Sequence, residues 1–123
     1  MTISTEKAPA AIGPYSQAIC ESGICFISGQ LGLDPATGAL ADGIEAQTHQ
    51  SMKNIGNILA AAGMGYEDVV KTTIFVTDLQ CFGTVNQIYG SYLTGAFPAR
   101  ACVQVAALPK GGLVEIEAVA IRK

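Results

Sequence analysis

The chain has 123 residues, half of them hydrophobic, with no Trp and with 7 Lys and Arg against 10 Asp and Glu for a net charge of −3. That length reads as one domain over residues 1–123, able to bury a core without disulfide or metal, and an acidic balance with no run of Lys or Arg lacks the long-range attraction to phosphate that nucleic-acid binding needs. No segment approaches the roughly 18 apolar residues of a membrane span, and Glu6 and Lys7 precede any apolar run, so the expectation is a cytoplasmic protein with no nucleic-acid or membrane partner.

Residues 8–14 are Ala, Pro and Gly around one Ile, which suits an irregular lead-in. Strands are predicted at 16–20 and 24–28, flanking a connection of Glu21, Ser22 and Gly23 in which Gly supplies a positive φ. Gly29, Gly32, Pro35 and Gly38 then break the second strand into turns near Asp34. From 43 to 62 the apolar spacing turns helical, through Ile44, Met52, Ile55, Leu59 and Ala62, with Gly63 as the stop. Residues 69–76 are dense in Val, Ile, Thr and Phe and read as a central strand. Thr77-Asp78 offers a cap to a second amphipathic helix carrying Phe82, Val85, Ile88, Tyr89 and Leu93, ending near Gly95. Two strands, 100–106 and 113–121, close the chain as an expected hairpin across Leu108-Pro109-Lys110-Gly111-Gly112.

The order β-β-α-β-α-β-β predicts an α+β fold, a mixed sheet with two helices packed on one face. No helix is left for the other face. Charged residues make up 14% of the chain where soluble domains carry about 25%, so the bare face is expected to be buried by further copies of the chain.

Chemistry concentrates on the last two strands. Alternation puts Arg100, Cys102 and Gln104 on one face, and Glu115 and Glu117 share a face of the final strand. A hairpin there brings Arg100 and a glutamate into one neighbourhood: a planar fork to grip a carboxylate, and a carboxylate to take a proton from water. The same residues also suit a salt bridge within the sheet or a solvated strand face. Ser28-Gly29-Gln30 can present amides to an anion or form an ordinary turn. Tyr15, after Gly13-Pro14, can cap a pocket or pack at the core's edge. Asn86 stands among apolar neighbours in the second helix, facing solvent or tied to backbone. Cys20, Cys25, Cys81 and Cys102 form no C-x-x-C pair and His49 is the only histidine, so no metal site is expected and all four read as reduced thiols; Cys102 is either reactive or a buried spectator. No nucleophile elbow, phosphate loop or dinucleotide fingerprint is present, which leaves cofactor-free chemistry.

End to end, the chain resembles the RidA/YjgF family of imine and enamine deaminases. The resemblance is carried by Ala10-Ala11-Ile12-Gly13-Pro14-Tyr15-Ser16-Gln17, Ser28-Gly29-Gln30, Val70-Lys71-Thr72-Thr73-Ile74-Phe75-Val76, Phe97-Pro98-Ala99-Arg100-Ala101-Cys102, and Leu108-Pro109 followed by Glu115-Ile116-Glu117-Ala118. It implies a homotrimer with active sites in the clefts between subunits. It implies hydrolysis of 2-iminopropanoate, 2-iminobutanoate and their enamine tautomers, released by pyridoxal-phosphate dehydratases, to 2-oxo acids and ammonia. By the same resemblance Arg100 binds the substrate carboxylate and Glu115, rather than Glu117, handles the attacking water, while Tyr15, Ser28, Gly29, Asn86 and Cys102 line the pocket. The alternatives are a non-catalytic trimer that binds small carboxylates or acts as a holdase, and a ribonuclease, which the acidic balance disfavours.

Overall fold

A computed structural model describes residues 1–123. The strands are β1 (Thr2–Ile3), β2 (Ala18–Glu21), β3 (Ile24–Leu31), β4 (Val69–Val76), β5 (Ala99–Gln104) and β6 (Val114–Ile121), and the helices are α1 (Gly43–Ala61) and α2 (Phe82–Ser91). All six strands form one sheet in the order β1-β2-β3-β6-β4-β5. Only β4 and β5 run parallel. A parallel pair needs a crossover, and α2 is that crossover.

The expected mixed sheet with two helices is present, with three differences. A two-residue strand, β1, pairs with β2, too short to leave an alternating pattern in the sequence. The β2–β3 connection is a two-residue turn whose central residues, Ser22 and Gly23, both have positive φ (52° and 80°), the geometry that matches strand twist in tight hairpins. The largest correction is that β5 and β6 form no hairpin. β4 lies between them, and β6 fills the slot between β3 and β4. A central strand must bury one full row, and β6 does so with Val114, Ile116, Ala118 and Ala120, while β5 is exposed at nearly every position and suits an edge.

The tight turn sets Cys20 directly opposite Cys25, with Cα atoms 4.0 Å apart and the two sulfurs facing each other, while Cys81 and Cys102 stand apart from any other cysteine.

The core lies between the sheet and the two helices. Met52, Ile55, Ile58 and Leu59 of α1 and Val85 and Tyr89 of α2 meet Ile74, Val76, Ile116 and Ala118. Burying a side chain of this size contributes about 1.5–3 kcal/mol, so α1 is held chiefly by packing. Its buried polar residues add direction: Ser51 Oγ donates to the Gln30 carbonyl at 2.7 Å, and Asn54 Nδ2 to those of Leu31 and Leu33 at 3.2 and 3.0 Å. These bonds pin the end of β3, which runs past the predicted break at Ser28 by means of a register irregularity between Ile27 and Gln30.

On the opposite face Ile19, Phe26, Val103 and Ile121 are exposed, Phe26 by 55%. Ile19, Phe26 and Val119 lie in one row across β2, β3 and β6, so the apolar surface is continuous rather than scattered. No helix is long and apolar enough to cross a membrane.

Candidate active site

Alternation along β6 turns Glu115 and Glu117 to the face away from the helices while their neighbours fill the core. Glu115 is half-buried, and no hydrogen bond or ion pair within the chain engages its carboxylate. Burial first, and then the charge of Glu117, push its pKa above the ordinary 4.5: removal from water penalises the ionised form, and a like charge adds to the penalty. The carboxyl lies hard against Gly29. A Cβ at Gly29 would stand 2.8 Å from Glu115 Cδ and 3.1 Å from Cγ. Gly29 does not have positive φ, so glycine is required for space rather than for conformation.

Ser28, beside it, donates from Oγ to the Ser16 carbonyl at 2.6 Å, which ties β3 to the segment carrying Tyr15. That segment is held by Gln17, a residue that pattern reading did not single out. Buried Gln17 donates from Nε2 to the carbonyls of Thr5, Ala8 and Pro9 at 3.0, 3.2 and 2.8 Å, and its Oε1 accepts from Thr5 N at 2.7 Å. One amide thus secures the irregular lead-in, and its only sequence signal was its place in the Gly13-Pro14-Tyr15-Ser16-Gln17 run. Tyr15 is 52% exposed. Ile12, Tyr15, Ser28, Gly29, Glu115 and Lys110 share a cleft of about 750 Å³. Lys110 is a second residue missed by sequence, although its flanking Pro109 and Gly111 marked the tight turn that holds it at a φ of 59°.

Arg100 lies elsewhere. On β5 it is the register partner of Thr72, on the helix-bearing side of the sheet. There α2 presents Phe82, Asn86 and Tyr89, spaced four and then three residues apart and therefore on one stripe of the helix. The guanidinium carbon is 5.1 Å from the Phe82 ring centroid and 5.5 Å from that of Tyr89, within range of attraction to both π-faces. Nη1 donates to Asn86 Oδ1, so one of the five guanidinium donors is committed within the chain. The Tyr89 hydroxyl is bonded to Thr72 Oγ1 at 2.7 Å, and burial raises its pKa. Arg100, Asn86, Tyr89 and Phe97 share a second cleft, of about 380 Å³.

Cys102 sits one alternate position beyond Arg100, partly buried against the core. Burial pushes its thiol pKa up, opposed by the Arg100 charge. A raised thiol pKa favours the neutral S–H, the reverse of what an activated nucleophile needs.

The seven residues singled out in the sequence therefore fall into two groups. Tyr15, Ser28, Gly29 and Glu115 form one, and Asn86, Arg100 and Cys102 the other. Arg100 shares a row with Thr72, whereas Glu115 pairs with Phe75, three residues further along β4 and on the other face. Strand spacing and rise put their Cα atoms about 14 Å apart. The hairpin expected to unite Arg100 with a glutamate within one chain is absent, because β4 separates the two strands.

A family model described as "Endoribonuclease L-PSP" matches residues 5–122. Among curated proteins, the chain is 55% identical over 121 residues to a mouse protein named 2-iminobutanoate/2-iminopropanoate deaminase, covering 98% of this chain and 90% of that one. It is 50% identical over 125 residues to a Salmonella typhimurium protein of the same name, covering 99% and 98%. Among solved structures, RidA from an Antarctic Psychrobacter superposes with a TM-score of 0.96 at 50% identity, covering 98% of each chain.

Proposed function

Because the chain belongs to the endoribonuclease L-PSP family, which is the YjgF/RidA family, we propose that it is a 2-iminobutanoate/2-iminopropanoate deaminase acting as a homotrimer. The observation that carries the reading is the pair of incomplete half-sites: a guanidinium with uncommitted donors in one cleft, and a carboxyl with no partner in another. Packing the bare sheet face of one subunit against the edge of the next brings the two clefts together. It also covers Phe26 and its row, and it accounts for a charge fraction too low for a monomer's surface.

In the joined site the Arg100 fork receives the substrate carboxylate with two parallel hydrogen bonds, which fixes the imine carbon in place. Glu115 takes a proton from water as the water oxygen bonds to the carbon of the protonated imine and the C=N electron pair moves onto nitrogen. Glu115 then passes that proton to the carbinolamine nitrogen, the carbon–nitrogen bond breaks to release ammonia, and the hydroxyl proton returns to Glu115 as the oxygen becomes the carbonyl of the 2-oxo acid. An enamine enters the same path after protonation at its β-carbon. Water and acid–base groups suffice, so the proposal names no cofactor. Asn86 orients Arg100, while Tyr15, Ser28, Gly29 and the neutral thiol of Cys102 shape the pocket. The reaction fits the cytoplasm, where dehydratases of serine and threonine release such imines. The nuclease named in the family description finds little support in these clefts, where Lys110 and Arg100 are the only cations.

The test is the rate of 2-oxo acid formation from imine generated in situ by a threonine dehydratase. Wild type accelerates it, and Arg100→Ala loses about 2–4 kcal/mol of transition-state binding, roughly 30- to 1000-fold in kcat/KM. A wild-type rate equal to the uncatalysed one, with 2-oxobutanoate still bound, would mark a carboxylate-binding trimer instead.

A further inference from the structure

Thr72 is a hydroxyl buried in β4, 3% exposed, at a position where an apolar β-branched residue would serve the core as well. Its Oγ1 bonds the Tyr89 hydroxyl, and its own backbone is the register partner of Arg100. Tyr89, 4% exposed, turns its ring toward the guanidinium. One hydroxyl pair thus links the strand beside Arg100 to the ring its charge rests on. Asn86 takes a single guanidinium N–H, and a single bond leaves the plane free to rotate about it. The Phe82 and Tyr89 rings supply the remaining restraint, and only the Tyr89 ring has a polar tip that can be fixed.

We propose that Thr72 and Tyr89 are positioning residues that set the plane of the Arg100 guanidinium, so that its free edge meets a carboxylate with two parallel hydrogen bonds. The proposal rests on the deaminase reading of Arg100. A fork turned out of plane still attracts an anion by charge, but it loses the second bond and the fixed orientation that distinguish Arg from a point charge. Loss of the hydroxyl pair therefore weakens carboxylate recognition while leaving the Glu115 half-site intact.

The test compares Thr72→Val, which removes the hydroxyl at nearly constant shape, with Thr72→Ser, which keeps it, with Tyr89→Phe, and with the double variant Thr72→Val/Tyr89→Phe. The readouts are KM and kcat for the in situ imine and the dissociation constants of 2-oxobutanoate and its carboxamide. Thr72→Val and Tyr89→Phe are expected to raise KM and the 2-oxobutanoate dissociation constant about three- to tenfold. They change kcat less than about twofold and leave carboxamide binding unaltered. Because both remove one bond, the double variant adds nothing further, and Thr72→Ser stays near wild type. Ile58→Val, a core truncation in α1, controls for stability: it lowers Tm without moving KM. An unchanged KM and dissociation constant in Thr72→Val, with Tm falling as in Ile58→Val, overturns the proposal and leaves Thr72 a core residue. Arg100→Ala separates the two failures: if it leaves 2-oxobutanoate binding intact, the reading of Arg100 itself is wrong.

Discussion

If Arg100 and Glu115 meet only across a subunit boundary, two inactive variants restore each other. An Arg100→Ala subunit still presents a sound Glu115 cleft, and a Glu115→Gln subunit still presents a sound Arg100 cleft. In a closed ring each site takes Arg100 from one subunit and Glu115 from its neighbour. With the variants mixed in equal amounts and allowed to exchange, the chance that both contributions are intact is one half for each, so about one quarter of the sites are wild type. The assay follows 2-oxo acid formation against mixing ratio, and the recovered rate traces a curve with its maximum at equal proportions. Sites contained within single chains would give no recovery at any ratio. That result, with mass spectrometry confirming mixed oligomers, would refute the shared-site reasoning. A two-fold dimer gives the same quarter, so the number of subunits is read separately by sedimentation, as a mass of about 38 kDa for three copies of the 12.7 kDa chain.

Gly29→Ala puts a methyl 2.8 Å from Glu115 Cδ, so the carboxyl must retreat by about 1 Å; kcat is expected to fall roughly 10- to 100-fold with Tm nearly unchanged, since only the end of a side chain moves. Gly32→Ala behaves in the opposite way: its Cβ would lie 2.5 Å from Gln47 Cα and 2.6 Å from that residue's carbonyl oxygen, and helix backbone cannot step aside, so a urea titration should show about 1–3 kcal/mol of lost stability. The raised pKa of Glu115 predicts that kcat/KM falls on the acid side with a midpoint above 4.5, as protonation removes the base. For stability the folded chain binds this proton more tightly than the unfolded chain, so wild type loses stability as pH rises from 4.5 through the raised value, and Glu115→Gln melts higher than wild type at pH 7 but not below 4.5.

What the sequence disclosed and what it withheld divide along physical lines. The period-2 pattern of 113–121 placed Glu115 and Glu117 together and turned Val114 and Ile116 inward, because alternation is a local property of any strand. The helical stripe of α1 was legible from Met52, Ile55 and Leu59 for the same reason. Strand order is not local. Nothing in residues 100–121 tells whether β5 folds back on β6 or lies beyond β4, and the shorter connection favoured the wrong pairing. The decisive difference lay in how much each strand can bury: Arg100, Cys102 and Gln104 alternate with positions that are themselves exposed on an edge, whereas β6 has a full apolar row. Gln17 and Thr72 escaped notice because a polar residue in a core is recognised only by its partners, and those lie 8 to 17 positions away in the chain.

The separation of Arg100 from Glu115 is itself informative about the chemistry. Had β5 and β6 formed the expected hairpin, the guanidinium and the carboxylate would have paired, lowering the Glu115 pKa and committing the fork before any substrate arrived. An imino acid would then have to break an ion pair in order to bind. On opposite faces of the sheet, each group stays uncommitted in its own way: Arg100 rests on aromatic rings that hold its charge without occupying its free edge, and Glu115 is kept with a raised pKa by burial and by Glu117. In the proposed oligomer the distance between the two clefts would be set by packed sheets rather than by flexible side chains. Under that proposal the site gains its acid–base partner only on assembly, so a single arrangement would account for both the bare apolar face and the divided residues.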